Sequence, residues 1–293
     1  VVENATTGLW RAPIPAGFET RQMWINDRRA TRARSPSPLI TGTITDTGYT
    51  ADPCVNCPAG PMAAWLPGAE FVFQPKGASW TEPRCGVVNA TTLTNGSTVI
   101  TMMQPCFYVA RNKAQNQGVS FPAFIENSLA LLDEPGEWYA STEGFVYYLP
   151  YPGESPDTAV AYLGTATTTM TGAVHVLPGT HDVSFTGLTF EHLTWLGPNG
   201  PNGFVDLQSG FFFPGSLNLP LHGVPGAVSL HGANDVEVTN CTFRHLGLSG
   251  VVTDYGSQGI RVTGNTFTDT SGSAISVGNV SQPILAPADQ VRT

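Results

Sequence analysis

The chain is 293 residues long, carries a formal net charge of -9 and has charged side chains at only 12% of its positions. The acidic balance argues against a nucleic-acid partner, because phosphate binding needs clustered excess Lys and Arg. No apolar run approaches the roughly 18 residues that a membrane-spanning helix requires. Its 32 Gly and 24 Pro predict short strands separated by many turns.

The first predicted element is a hairpin. Two β-type runs, residues 21–26 and 28–34, meet at Asn26–Asp27, a pair that tolerates the left-handed geometry of a tight turn. Six of the thirteen Lys and Arg residues lie within the first 34 positions. They indicate either a patch for an anion or acidic sugar or, as the pattern favours, a solvated face paired with local carboxylates.

Residues 51–117 are rich in Pro and Gly and predict an irregular β-domain. This segment holds Cys54, Cys57, Cys85 and Cys106, which we expect to form two disulfides of a secreted protein, with the pairing left open. A zinc site at Cys54–Cys57 would need two further ligands at suitable spacing. We therefore expect no metal and no cofactor, and we expect Cys241 to be a buried, unpaired thiol.

A second hairpin is predicted across residues 124–150, with its turn at Ser141–Gly144, and a linker follows at 152–156. These boundaries define an N-terminal domain at residues 1–156 that contains the disulfides. The remainder, residues 157–293, is predicted to form repeated coils interrupted by an insertion at 197–225.

A sequence repeat dominates the second half. Residues 236–245 recur 24 positions later at 260–269, and 183–192 match the first copy at a spacing of 53, one period plus 29 residues. Short β-type runs at this period predict an all-β solenoid in which each repeat is one coil of a parallel β-helix. Helical repeats are excluded by the alternation of Val and Phe with Thr, Asn and Ser, and leucine-rich repeats are excluded because the chain has no Leu-x-x-Leu-x-Leu run. The strands that open the units start at Val174, Val228, Val252 and Ile275.

Several motifs resemble a known family. Residues 21–34, 126–127, 132–139 and 146–150, followed by the coils, are similar to secreted right-handed parallel β-helix proteins that include glycoside hydrolases and belong to the pectate-lyase-like superfamily. The resemblance covers roughly residues 8–280. It implies a right-handed parallel β-helix behind an N-terminal antiparallel domain, and a poly- or oligosaccharide as the partner.

Stacking the coils places His192, His245 and Asp269 in one column. An imidazole above a carboxylate can do acid/base work, since each group tunes the other's proton affinity. The alternative is a polar ladder at a turn, hydrogen-bonded to the backbone. Elsewhere in the repeats, Glu237 and Arg261 lie one coil apart. This spacing predicts a surface ion pair between them.

A second column is predicted to contain Leu230, Asp254 and Val277. Asp254 interrupts an apolar series, so it either ends a strand in water or is functional. Hydrolysis of a glycosidic bond needs two carboxyl groups, about 5 to 5.5 Å apart for retention or 6.5 to 9.5 Å for inversion. The catalytic candidates are Asp254, Asp269 and His245.

The insertion at 197–225 is predicted to lie over a binding face, where solenoid insertions gather. Its aromatic rings could stack on sugars or could cover the coils or an interface with a second chain. The substrate-binding candidates are Phe211, Phe212, Asp206, Gln208 and, from the column, His192.

Five sequons support a secreted, extracellular glycoprotein. Nothing after Val277 resembles a cap, so we expect further β-helix, either as a missing segment or as another chain. The sequence thus predicts a secreted carbohydrate-active protein that hydrolyses glycosidic bonds. The alternative is a non-catalytic structural glycoprotein of a matrix, wall or filament, assembled from identical chains. The glycosylation candidates are Asn4, Asn89, Asn95, Asn240 and Asn279.

Overall fold

The computed structural model describes residues 2–4, 8–54, 57–58, 60–75, 78–113, 118–166, 172–208, 210–279 and 290–292. Strands make up 43% of the chain and helices 6%, which confirms the all-β class. Among the described residues no helix is long and apolar enough to cross a membrane.

The elements divide between two halves of the chain. The first half contains β1 (Val2–Asn4), β2 (Leu9–Pro13), β3 (Met23–Ile25), β4 (Arg28–Arg29), β5 (Thr31–Arg32), β6 (Gly42–Ile44), β7 (Gly48–Ala51), α1 (Met62–Trp65), β8 (Glu70–Val72), β9 (Arg84–Thr92), β10 (Thr98–Met102), α2 (Cys106–Arg111), β11 (Phe124–Glu126), a 3₁₀ turn (Leu129–Leu131), β12 (Glu137–Ser141), β13 (Phe145–Tyr148) and β14 (Ala161–Leu163). The second half contains β15 (Val174–Val176), β16 (His181–Thr186), β17 (Thr189–Glu191), a 3₁₀ turn (Gly197–Asn199), β18 (Asp206–Gln208), β19 (Phe211–Phe212), β20 (His222–Gly223), β21 (Gly226–His231), β22 (Asn234–Thr239), β23 (Thr242–Leu246), β24 (Ser249–Asp254), β25 (Arg261–Thr263), β26 (Thr266–Thr270) and β27 (Ile275–Val277).

The N-terminal half forms three largely antiparallel sheets. Their strand orders are β11-β8-β9-β10-β7-β6, β1-β2-β13-β12-β5 and β14-β3-β4. Both predicted hairpins are present: β3 pairs with β4 across Asn26 and Asp27, whose φ angles are 48° and 65°, and β12 pairs with β13. Asn and Asp adopt this left-handed conformation at lower cost than most other side chains, which is why the turn forms there.

Two disulfides stabilise the first half. Cys54 bonds to Cys57 and Cys85 to Cys106, with Cα–Cα distances of 5.6 and 5.7 Å. The second bond joins β9 to the start of α2 inside a core where both sulfurs are fully buried. Cys241 is buried and unpaired, as predicted.

The second half contains three parallel sheets, ordered β15-β21-β24-β27, β16-β22-β25 and β17-β23-β26, and a small antiparallel sheet, β18-β19-β20, in the insertion. The chain passes through one strand of each parallel sheet and then returns to the first sheet, and we call one such passage a coil. Val238 pairs with Val262 and Phe243 with Phe267, so the 24-residue repeat in the sequence is the register of pairing.

Stacked rings and left-handed corners maintain this register. Phe243 lies between Phe190 and Phe267, with ring centroids 4.9 and 4.8 Å away, at the centre of an apolar core. The chain bends where single residues adopt positive φ, and these residues recur from coil to coil. The three corner columns are Asp182, Asp235 and Gly259; Gly187, Asn240 and Gly264; and His192, His245 and Asp269.

One predicted column is wrong. Val228 pairs with Val251, 23 residues on, so Leu230 lies beside Thr253, and Asp254 lies beside His231. The turn after β24 contains one more residue than the turn after β21. The spacing between paired residues is therefore 24 again at the next pair, Asn234 and Gln258. Because side chains alternate across a strand, a shift of one position moves Asp254 to the opposite face of the sheet.

The insertion packs against the N-terminal half. Its Val205 is fully buried in the core that also contains Cys85 and Phe107. Phe204 exchanges two backbone hydrogen bonds with Arg84 of β9, at 2.8 and 3.0 Å. The insertion therefore connects the two halves of the chain.

Replacing Phe243 by Ala should lower the free energy of unfolding by about 3 to 5 kcal/mol, since it removes the middle ring of a fully buried stack. Urea denaturation followed by circular dichroism measures the loss. Tyr108→Ala, at a ring that is 58% exposed, is the control. Equal stability of the two variants would contradict the importance of the stack.

Candidate functional site

A charged cavity of about 480 Å³ lies where the hairpin strand β4, strands β5 and β9, and the insertion meet. Five arginines, two glutamates and two aromatic rings contribute to its wall. We call it the arginine cavity. These residues are Arg21, Arg29, Arg32, Arg34, Arg84, Glu82, Glu126, Trp195 and Phe204.

Strand alternation accounts for the basic side of the cavity. In the run that follows the hairpin, Arg32 and Arg34 are two positions apart and therefore share a face, while Ala33 between them is fully buried. Backbone pairing of Arg34 with Glu126 brings the end of β11 alongside. Part of the basic run therefore lines a cavity, where it meets buried carboxylates such as Glu126.

Glu70 is a buried carboxylate that pairs with arginines of the cavity wall. Arg21 donates two hydrogen bonds to its carboxylate, at 2.7 and 2.9 Å, and Arg32 lies 3.4 Å from the same group. Burial would raise the pKa of Glu70, but Arg21, Arg32 and Arg84 outweigh that effect and hold the pKa well below its usual range. The carboxyl group therefore stays ionised and cannot act as a general acid near neutral pH.

Arg84 lies between two other carboxylates. One guanidinium nitrogen donates to Glu126 at 3.0 Å and the other donates to Glu82, while Arg32 donates to Glu126 at 2.7 Å. Burial would lower the pKa of Arg84, but the carboxylates of Glu126, Glu70 and Glu82 raise it. Glu126 has a side chain only 7% exposed, whereas that of Glu82 is 40% exposed.

Arg34 differs from the other four arginines. It is exposed, its guanidinium lies 5.3 Å from the centre of the Phe124 ring, and within the described residues it forms no ion pair. Of the five arginines in the cavity wall, Arg34 is therefore the one without an ion pair to another described residue.

The column His192, His245 and Asp269 is assembled as predicted. The two imidazoles stack at 5.5 Å, and Nδ1 of His245 lies 2.8 Å from Asp269. Nε2 of His245 lies 2.8 Å from Asp27 in the hairpin turn. Both ring nitrogens of His245 therefore lie within hydrogen-bonding distance of a carboxylate.

The hairpin covers this column. Trp24, which is fully buried, donates from Nε1 to Asp269 at 2.8 Å, and Arg29 donates to the same carboxylate at 2.6 Å. Burial would raise the pKa of Asp269, but hydrogen bonds from His245, Arg29 and Trp24 lower it. The His245 side chain is only 8% exposed, so these groups form the junction between the two halves of the chain.

Asp254 lies in a different sheet from Asp269, so the structure does not bring the predicted carboxylates together. Oδ1 of Asp254 is hydrogen-bonded to Nδ1 of His231, and the ring of Tyr255 lies 5.4 Å from that imidazole. The Asp254 side chain is 13% exposed and that of His231 is 28% exposed. These two residues form a His–Asp pair that is not part of the wall of the arginine cavity.

Two of the predicted substrate-binding residues of the insertion, Asp206 and Phe212, are buried and contact other parts of the protein. Asp206 is buried and accepts hydrogen bonds from the Thr81 hydroxyl at 2.9 Å and the Glu82 amide at 3.0 Å, and burial raises its pKa. Phe212 is buried, and its ring centroid lies 5.1 Å from that of Trp195 and 5.6 Å from that of Phe204. These contacts hold Glu82 and the two aromatic cavity residues in place.

The remaining candidates are more exposed. Gln208 is exposed and Phe211 is half-buried next to it in the small insertion sheet. His192 stacks on Tyr162 at 4.1 Å, and burial lowers its pKa. Neither Gln208, Phe211 nor His192 is part of the wall of the arginine cavity.

The sequon asparagines are largely accessible. Asn89, Asn95 and Asn240 are exposed, and Asn279 is half-exposed. The side chain of Asn4 lies outside the described residues. Glu237 and Arg261 form the predicted ion pair at 2.6 Å.

No protein-family model and no curated protein matches the chain. Among solved structures, a protein named glycoside hydrolase is similar, with a TM-score of 0.65 and 24% sequence identity over 88% of this chain. The match covers 48% of that protein, so the chain spans about half its length. At this identity the similarity establishes a shared fold.

Asp269→Asn should destabilise the junction by about 2 kcal/mol near neutral pH, because it weakens charge-assisted hydrogen bonds. The lowered pKa means that this stability is present above the ordinary aspartate value of 3.8 and is lost as the pH falls through the lower folded-state value. Denaturation of both proteins across this range should show the difference shrinking in acid.

Glu237→Gln is the matched control, since it removes a carboxylate from an exposed arginine pair one coil apart. We expect it to cost less than about 1 kcal/mol. If Asp269→Asn lowers the free energy of unfolding no more than Glu237→Gln does, or if its effect grows in acid, the role of Asp269 at the junction is wrong.

Proposed function

We propose that the chain is a secreted carbohydrate-active protein that binds a poly- or oligosaccharide in the arginine cavity. The observation that carries the proposal is the composition of the cavity wall, where Trp195 and Phe204 lie beside fixed guanidinium and carboxylate groups. Sugar rings offer apolar faces to aromatic side chains and hydroxyl groups to polar ones. A volume of about 480 Å³ is within the usual range for small-ligand sites.

The proposed architecture is a right-handed parallel β-helix of the pectate-lyase-like superfamily. Its support is the repeated passage through three parallel sheets at a spacing of about 24 residues. Parallel strands of one sheet are joined by right-handed crossovers in almost all proteins. Two disulfides and exposed sequon asparagines support secretion and glycosylation.

Hydrolysis of a glycosidic bond is the proposed activity, and the cavity offers two carboxylates for it. Glu82 and Glu126 bind the two terminal nitrogens of Arg84, so one guanidinium holds them close together. Glu82 is the more exposed and is the candidate to meet the sugar. A second candidate centre is Asp254 with His231, in which a carboxylate orients an imidazole for acid/base work.

Calorimetric titration with a panel of neutral and acidic oligosaccharides tests the binding. Trp195→Ala should weaken the affinity at least about tenfold, or 1.4 kcal/mol, because the ring that contacts the sugar is lost. Tyr255→Ala, at a ring 59% exposed beside His231, is the control. If Tyr255→Ala weakens the affinity and Trp195→Ala does not, the binding site lies at the His–Asp pair. If no oligosaccharide of the panel binds, the proposal is refuted.

Glu82→Gln should retain binding and reduce hydrolysis about 100-fold or more, since general acid–base catalysis contributes about that much. Product release measured by chromatography reports the rate. Asp254→Asn is the matched comparison. If it abolishes hydrolysis while Glu82→Gln does not, the chemistry belongs to the second centre.

The structural glycoprotein is the alternative function, and the junction favours it. His245 and Asp269 were predicted as catalytic candidates. Asp269 accepts hydrogen bonds from Trp24 and Arg29 of the hairpin and is hydrogen-bonded to His245, so these contacts join the hairpin to the coils. A structural protein would assemble with identical chains or with further β-helix and would bind none of the panel. Sedimentation velocity over a concentration range distinguishes a monomer from such an assembly.

A further inference from the structure

We propose that N-linked glycans on Asn89 and Asn95 cover the exposed face of the hairpin formed by β9 and β10, and that they prevent this face from associating with a second copy of the chain. The group that covers the face is thus an oligosaccharide attached to the chain itself. This inference rests on the proposed secretion and gives the sequons of this hairpin a role that is independent of the arginine cavity.

The hairpin lies in a stretch of the sequence without charge. Residues 85–110 contain no Asp, Glu, Lys, Arg or His, and residues 85–104 also contain no Pro. Uncharged segments of high β-propensity without Pro are those most prone to pair between chains. Natural proteins protect such strands with charged residues or Pro. Because residues 85–104 have neither, we expect another group to protect them.

The hairpin has one buried and one exposed face. The buried face packs into the core of the N-terminal half with Cys85, Val87, Ala90, Ile100 and Met102. In β9, β10 and their turn, three large apolar side chains are exposed: Val88 by 54%, Leu93 by 41% and Val99 by 38%. Exposed apolar surface on a sheet marks either an interaction site or a liability to aggregate.

Asn89 lies beside two of the exposed apolar residues. It follows Val88 in the sequence and pairs with Thr101, while Thr91, the hydroxyl residue of the same sequon, pairs with Val99. Asn89 and Thr91 are both exposed, and residues two positions apart share a face of the strand. Since the Cβ atoms of directly paired residues are about 4.5 to 5.5 Å apart, a glycan on Asn89 begins next to Val88 and Val99.

Asn95 places the second sequon at the turn. Its side-chain oxygen accepts a hydrogen bond from the Ser97 amide at 3.1 Å, and the Leu93 amide donates to the Ser97 carbonyl at 2.7 Å. The turn thus uses the oxygen of Asn95, whereas an N-glycan attaches to its nitrogen. Because Asn95 is exposed, it can carry a bulky, solubilising glycan near Leu93 without loss of the turn.

The glycans lie apart from the arginine cavity. Arg84, at the start of β9, lines that cavity, and the strand runs from there toward the turn. At about 3.3 Å per residue, Asn89 is roughly 17 Å along β9 from Arg84, and Asn95 lies beyond it. Covering the hairpin therefore leaves the cavity open.

The experiment compares the glycosylated chain with variants that lack both sequons of the hairpin. The full chain is produced through the secretory pathway of a cell that attaches N-glycans, and peptide mass spectrometry should find glycans on Asn89 and Asn95. Asn89→Gln with Ser97→Ala removes both sites and retains the Ser97 amide that donates to Asn95. Sedimentation velocity should show self-association of this variant at a concentration at least about tenfold lower than for the glycosylated chain, or 1.4 kcal/mol.

Two further variants separate the glycan from the substitutions. Thr91→Ala with Ser97→Ala keeps both asparagines and should associate in the same way. Val99→Lys, added to the Asn89→Gln and Ser97→Ala variant, should restore the monomer, because a charge on the exposed face then provides the protection. Asn279→Gln is the matched control, since it removes a half-exposed sequon outside the hairpin, and its sedimentation should be unchanged. Circular dichroism checks that each variant is folded.

The proposal is overturned if neither asparagine carries a glycan, or if the variants without sequons in the hairpin remain monomeric. Association of Asn279→Gln to the same extent would also overturn it, because the effect would then follow the loss of any glycan. If Val99→Lys fails to restore the monomer, the associating surface is not this face. Saccharide binding is measured separately on the monomer, and its absence would refute binding in the arginine cavity without changing the result for the hairpin.

Discussion

The contact between the N-terminal hairpin and Asp269 is the interaction on which the candidate site depends. Trp24 and Arg29 both donate to this carboxylate, and His245 completes its shell. Arg29 and Ser271, which is hydrogen-bonded to Arg29, also line the arginine cavity. The cavity exists because this contact holds the antiparallel sheets against the parallel ones, with the Arg84–Phe204 bridge on its other side.

Burying charged groups in the cavity wall costs free energy, and the network of ion pairs between arginines and glutamates offsets that cost. Removing a guanidinium or a carboxylate from water costs several kcal/mol unless each finds good partners. Glu70 and Glu126 each lie within ion-pair distance of three arginines, and burial lowers the pKa of Arg32 where those charges crowd together. Such a network contributes little net stability compared with an apolar core, but it fixes side chains in one geometry, as a preorganised binding site requires.

The repeats, the two hairpins and the column at Asp269 could be predicted because their signals are local or strictly periodic. The register of Asp254 could not, because one additional residue in a turn changes the spacing from 24 to 23 within a single sheet. The arginine cavity was indicated only by the basic run near residue 34. Glu70, Arg84 and Trp195 come from separate segments, and only the fold brings them together.

Asp254 and Asp269 differ in the hydrogen-bond partners of their side chains. Asp269 accepts from three donors and has a lowered pKa, so it stays ionised and cannot supply a proton near neutral pH. The shift in register moves Asp254 out of the apolar column, where a carboxylate would be costly, and places it beside His231. That imidazole is the only hydrogen-bond partner of its side chain among the described residues. The Asp254 side chain therefore has fewer partners among the described residues than that of Asp269, which joins the two halves of the chain.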